Sequence, residues 1–104
     1  MAGYVEVARH QWEEGSRRLS AEAANPDAYE VLMDQVEAVT EALRRRIGEH
    51  FTLAQLADVY GGADNWVFEA VTERAGRPGW MGKLSVAQDA AFHLYARGAT
   101  DYSP

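Results

Sequence analysis

Residues 25–47 restrict this chain more than any other stretch. There Tyr29, Leu32, Val36, Val39, Leu43 and Ile47 recur at steps of three and four. That spacing gathers them on one face of a long α-helix and cannot place them on one face of a strand. Asn25-Pro26-Asp27 supplies the start. Asn25 suits the N-cap, Pro26 suits the first helical position because its missing N–H would be unpaired anyway, and Asp27 favours the positive helix end. Glu30, Asp34, Glu37 and Glu41 form a second stripe. Arg44, Arg45 and Arg46 collect at the C-terminal end, where positive charge suits the dipole, and Gly48 is the natural stop.

A preceding helix is predicted over residues 4–24, with Val5, Ala8, Trp12, Gly15 and Leu19 on one face. Gly15 there marks either a close approach of another backbone or a weak point costing ~1 kcal/mol against alanine. The other face carries Glu6, His10, Glu13, Glu14, Arg17 and Arg18. The pairs Glu13–Arg17 and Glu14–Arg18, acid first, add roughly 0.2–0.5 kcal/mol each to an exposed helix. So short a connection at Asn25 folds the two helices into an antiparallel hairpin.

Beyond Gly48 the elements are shorter. Thr52 and Gln55 form a capping box and Phe51 and Leu56 are spaced as a hydrophobic staple, starting a third helix that ends at Tyr60 before Gly61-Gly62. Asp64 is placed to cap a fourth helix, from Asn65 to about Ala75. A loop over residues 76–83 carries Trp80 and Met81. Ser85 and Gln88 make a second capping box for a fifth helix through about Arg97, whose apolar surface comes from Val86, Ala90, Phe92, Leu94 and Tyr95. The tail is expected to be ordered where Tyr102 docks. No segment reads as a strand.

The stretch over residues 53–72 resembles the helix-turn-helix unit of transcriptional regulators. Ala57 stands at the small position where the two helices approach, and Gly61 at the turn. Leu56, Val67 and Ala70 fall where that family buries apolar side chains, and Asp64 where the second helix is capped. The resemblance covers about a fifth of the chain and implies a DNA reader, with Ala63, Asp64, Asn65, Phe68, Glu69 and Thr72 facing the groove. Base reading leans on Arg, Lys, Asn and Gln, and phosphate contacts on Arg and Lys. Of these positions only Asn65 fits, while Asp64 and Glu69 repel phosphate. The expected fold is therefore an all-α single domain of five helices, a long hairpin packed on a helix-turn-helix-like three-helix unit.

Composition narrows the functions. The 104 residues make one domain, 47% hydrophobic and 25% charged, with a net charge of −6 that opposes nucleic acid. No cysteine is present, which excludes disulfides, thiolate zinc sites and cysteine nucleophiles. The opening residues, with Glu6, Glu13 and Glu14, lack the apolar run of a secretory signal, and no stretch reaches the ~20 apolar residues of a membrane span. A cytoplasmic setting is expected, and the Ala, Arg, Glu and Gly bias hints at a GC-rich bacterial genome.

Arg17 and Arg18 with Arg44, Arg45 and Arg46 would make a basic patch if the helix ends meet; otherwise the arginines complement a helix dipole and pair with nearby acids. Glu6, His10 and Glu14, like Asp89 and His93, are spaced as metal ligands, yet the Glu-x-x-His motif of di-iron bundles is missing, so no metal or other cofactor is expected. No serine lies in a nucleophile elbow and no glycine loop suits a phosphate. No enzyme activity or small-molecule substrate is expected. The chain holds three tryptophans, five tyrosines and three phenylalanines. Aromatic residues and Met exposed beside acids make anchors for a protein partner, here Trp66, Phe68, Glu69, Trp80 and Met81. Trp66 and Phe68, two residues apart, cannot share a face, so if Trp66, Val67 and Ala70 turn to the core Phe68 points away. The other reading is that the fourth helix is buried on several sides or that the loop covers Phe68. The expected function is a small acidic, non-catalytic protein-binding domain, adaptor or regulatory and transcription-associated, binding another protein or itself. The alternative is a helix-turn-helix DNA-binding regulator.

Overall fold

The computed structural model describes residues 3–75 and 84–103. They form five helices: α1 (Tyr4–Ala21), α2 (Pro26–Ile47), α3 (Leu53–Gly61), α4 (Val67–Ala75) and α5 (Leu84–Ala96). Among the described residues there is no strand, so the all-α expectation holds. No described helix is long and apolar enough to cross a membrane.

The periodicity of α2 is realised as burial. Leu32, Val36, Val39 and Leu43 are fully or nearly fully buried, and Tyr29 and Ile47 pack against them at the two ends. Ala28, Ala38 and Ala42 are buried as well, so α2 is covered on more than one side. Its start differs from expectation in one detail. Asn25 occupies the N-cap with extended backbone, yet its side chain makes no capping bond; only its carbonyl accepts, from the Tyr29 N–H. Gly48 ends the helix at φ 68°, a left-handed conformation that favours glycine.

A 3-10 turn at Glu22–Ala24 joins α1 to α2, and α5 lies against both arms of this hairpin, contacting each far more extensively than they contact one another. The approach of α5 to α1 runs through Gly15. A Cβ there would stand 2.3 Å from Asp89 Cβ and 3.0 Å from the Ala90 backbone nitrogen. Of the two readings of Gly15, close approach is the one realised. Docked there, α5 inserts Phe92 at the centre of an aromatic cluster. Trp12 stacks on it at 5.8 Å, Tyr60 meets it edge-on at 5.0 Å, and Trp66 lies tilted at 6.3 Å. α5 already includes Leu84, so Ser85 sits inside its first turn rather than capping it.

At α3 the capping box is complete: Gln55 N–H donates to Thr52 Oγ1 and Thr52 N–H to Gln55 Oε1. The next element corrects the expected boundary. A 3-10 turn at Ala63–Asn65 intervenes, Trp66 lies outside regular helix, and α4 starts at Val67 instead of after an Asp64 cap. Ala63 and Trp66 are both buried, and the tighter turn lets the chain direct both inward. α4 then rests mainly on α2. The tail docks as its tyrosine suggested. Arg9 lies over the Tyr102 ring at 5.3 Å and donates to the Ser103 carbonyl, while Asp101 accepts the Leu53 N–H at the start of α3.

Two substitutions test this architecture. Gly15→Ala raises helix propensity by ~1 kcal/mol, but overlap with the α5 backbone outweighs it, for a net loss of about 1–3 kcal/mol in denaturant unfolding. A stabilised variant would contradict the close packing. Thr52→Ala removes half of the capping box and is expected to cost ~1 kcal/mol in the same assay.

Candidate functional site

α2 and α5 run side by side in the same direction and leave a groove between them. It is lined by Met33, Val36, Thr40 and Arg44 from α2 and by Leu94, Tyr95 and Gly98 from α5 and its end, with a volume of about 620 Å³. Phe51 closes the floor, buried and stacked on Tyr95 at 5.0 Å. Tyr95 is held from its other end by a hydrogen bond from its hydroxyl to the Gly48 carbonyl, and burial raises its pKa. The Thr40 hydroxyl donates to the Val36 carbonyl, so its hydrogen is turned back on its own helix. Leu94 forms the open wall. Its side chain is 44% exposed, although it lies on the helix that supplies the centre of the core.

The α2 rim of the groove is acidic. Asp34, Glu37 and Glu41 converge on the single guanidinium of Arg74, at 3.1, 2.8 and 3.0 Å. All three carboxylates stay mostly open to water, so the cluster orders side chains more than it stabilises the fold. The hydrogen bonds that Arg74 donates to Asp34 and Glu41 raise its pKa further, with burial opposing.

The residues singled out for partner binding are scattered. Phe68 is 53% exposed and Glu69 is exposed beside it, as an outward face of α4 requires. Trp66, in contrast, is a core residue at 8% exposure, packed towards Phe92, with Arg46 4.4 Å over its ring. It is corrected from surface anchor to buried support, because the 3-10 turn rotates it inward. Trp80 and Met81 lie outside the described residues.

The basic patch does not assemble. Arg18 faces the first turns of α5 beside Ser85 and Asp89, whereas Arg44 lines the groove with Gly98 past its end. Those positions lie roughly 15–20 Å apart along α5. Arg17 pairs with Glu14, not with Glu13 as its spacing suggested, and Arg18 approaches the same carboxylate at 3.7 Å. The bond from Arg17 holds Glu14 below the ordinary carboxylate range. Arg45 lies beside Glu73 and Arg46 covers Trp66.

A second, smaller cavity of about 260 Å³ collects His10, Glu14, Arg18, Tyr60, Ser85 and Asp89. Tyr60 donates to Asp89 Oδ1 at 2.8 Å, a bond between α3 and α5 that the sequence did not suggest. Burial and this bond push the Tyr60 pKa well up, so the hydroxyl remains a donor. Burial also raises Asp89, against the pull of Tyr60 and Arg18. His93 is lowered, first by burial, with Glu13 opposing. Among the described residues, no three His, Asp or Glu side chains are placed to hold a metal ion.

Compared with known proteins, the chain matches no family model, no curated protein and no solved structure.

The raised carboxyl of Asp89 makes a pH-dependent prediction. A group that holds its proton more tightly when folded contributes stability at low pH and loses it as pH rises from its unfolded value, 3.8, through its folded value. Asp89→Asn keeps an acceptor for Tyr60 without the charge. Its stability is expected to exceed that of the parent at about pH 7 and to converge on it near pH 3. Thermal melts across that range check this; a constant gap, or one of opposite sign, would contradict the burial of Asp89.

Proposed function

We propose that this is a non-catalytic protein-binding domain, acting in the cytoplasm as an adaptor or regulator, and that the α2–α5 groove receives the partner. One observation carries the reading: an aliphatic side chain, Leu94, stands open on the wall of an apolar trough whose floor residues, Phe51 and Tyr95, are fixed by stacking and hydrogen bonding. A rigid apolar recess with a polar rim is what a partner's buried anchor needs. Among the described residues Phe68 is a single exposed ring on the outward face of α4, and single exposed apolar residues are ordinary on protein surfaces. A transcription-associated partner rests on the helix-turn-helix resemblance alone.

The DNA-binding alternative draws less support. The outward face of α4 offers Phe68 and Glu69, and its cation, Arg74, is held by three carboxylates. In low salt, protein at micromolar concentration is expected to leave the mobility of duplex DNA unchanged; a retarded, salt-sensitive band would favour the alternative.

The main test places a photo-crosslinking residue at Leu94 or at Phe68 and exposes the protein to its native host's extract. A discrete adduct is expected from Leu94. The captured protein, once purified, is expected to bind about tenfold more weakly to Leu94→Gln, equivalent to ~1.4 kcal/mol, and equally well to Arg17→Ala. Absence of any adduct at Leu94, or affinity indifferent to Leu94→Gln, counts the reading out.

A further inference from the structure

Resting on the protein-binding reading, we infer that the groove's occupant is a short amphipathic helix with a basic flank. Three features of the groove choose it. The first is shape: the α2 wall from Met33 to Arg44 spans roughly 16 Å at ~1.5 Å per residue, which is about three turns of a docked helix. Apolar side chains at steps of three and four along such a helix meet Met33, Leu94 and the floor at Phe51 in succession.

The second feature is the asymmetry of charge across the trough. Along the α2 rim, Asp34, Glu37 and Glu41 share the one guanidinium of Arg74, which leaves two negative charges in excess. The α5 wall contributes Leu94, Tyr95 and Gly98, with no charged side chain, and Arg44 and Glu49 at the closed end offset each other. Lys or Arg side chains on one flank of the occupant, the flank towards α2, therefore meet complementary charge, and acidic ones meet repulsion. The third is the backbone. Both walls are helices whose hydrogen bonds are internal, so there is no open strand edge to pair with an extended peptide, and the occupant must satisfy its own backbone.

A displayed library of amphipathic helices tests this with the full chain as bait. The library keeps an apolar stripe and varies one flank among Lys, Gln and Glu; a second arm displays extended peptides of the same composition. Selected helices are expected to carry Lys over Glu on that flank by at least tenfold, to be lost on Leu94→Gln, and to reverse their preference on the double substitution Glu37→Lys and Glu41→Lys. Methyl shifts at Met33 and Leu94 in the unmodified protein, on titration with a selected helix, locate the site without any variant. Enrichment of acidic or extended peptides, binders insensitive to Leu94→Gln, or shifts confined to other methyls would each overturn the inference. So would a concentration-dependent dimer abolished by Leu94→Gln, which gives the groove to a second copy. If the crosslinked host protein depends on Leu94 but presents an acidic or non-helical segment, this inference fails while the protein-binding reading stands.

Discussion

The missing side chain at Gly15 is the constraint on which the rest of the architecture hangs. With no Cβ to hold it off, the backbone of α5 at Asp89 and Ala90 settles directly on α1. From that contact Phe92 reaches the middle of the molecule, where Trp12, Tyr60 and Trp66 close around it. The same seating fixes the side of α5 turned to α2, and with it Tyr95 on Phe51 and Leu94 at the lip. A groove whose α5 wall, Leu94 and Tyr95, is remote from Gly15 in sequence thus owes its depth to an absent methyl group.

Charge is distributed with a comparable economy of partners. The arginines at the C-terminal end of α2 are spent locally: Arg46 covers the Trp66 ring and Arg45 lies by Glu73. On α1, Arg17 and Arg18 share Glu14, while Arg9 holds the tail at Tyr102 and Ser103. The stripe on α2 is less well matched, since Arg74 alone bridges three carboxylates. Exposed pairs of this kind add little to stability, but they set the sign of the field a partner meets.

Much of the fold was legible in the sequence because helix periodicity and caps are local signals. The α2 stripe, the Thr52–Gln55 box, the Gly48 stop and the core face of α1 all follow from residues a few positions apart. The groove was not legible, because it exists only where α2 and α5 lie together, and their residues are far apart in the chain. One signal did point to α5: Ala87, Ala90, Ala91, Phe92 and Ala96 leave little of that helix polar, and a helix apolar on most sides is a central one. The burial of Trp66 was left open for a different reason. Its surroundings depend on a 3-10 turn at Ala63–Asn65, which propensity does not distinguish from the start of a helix. The Tyr60–Asp89 bond likewise joins residues that only tertiary packing brings together.

The docked tail has a consequence for the order in which the molecule can assemble. Asp101 binds the start of α3 from 48 residues away, and Ser103 is tied to Arg9 across 94. Because α5 and the tail leave the ribosome after everything they pack against, the first four helices emerge with the seats of Phe92 and Tyr95 empty. Their local turns form quickly, but the core cannot close until the last helix arrives. The apolar faces of α1 and α2 that α5 covers thus have no native partner until α5 has been made, so their burial is timed by translation and not by the intrinsic speed of helix formation.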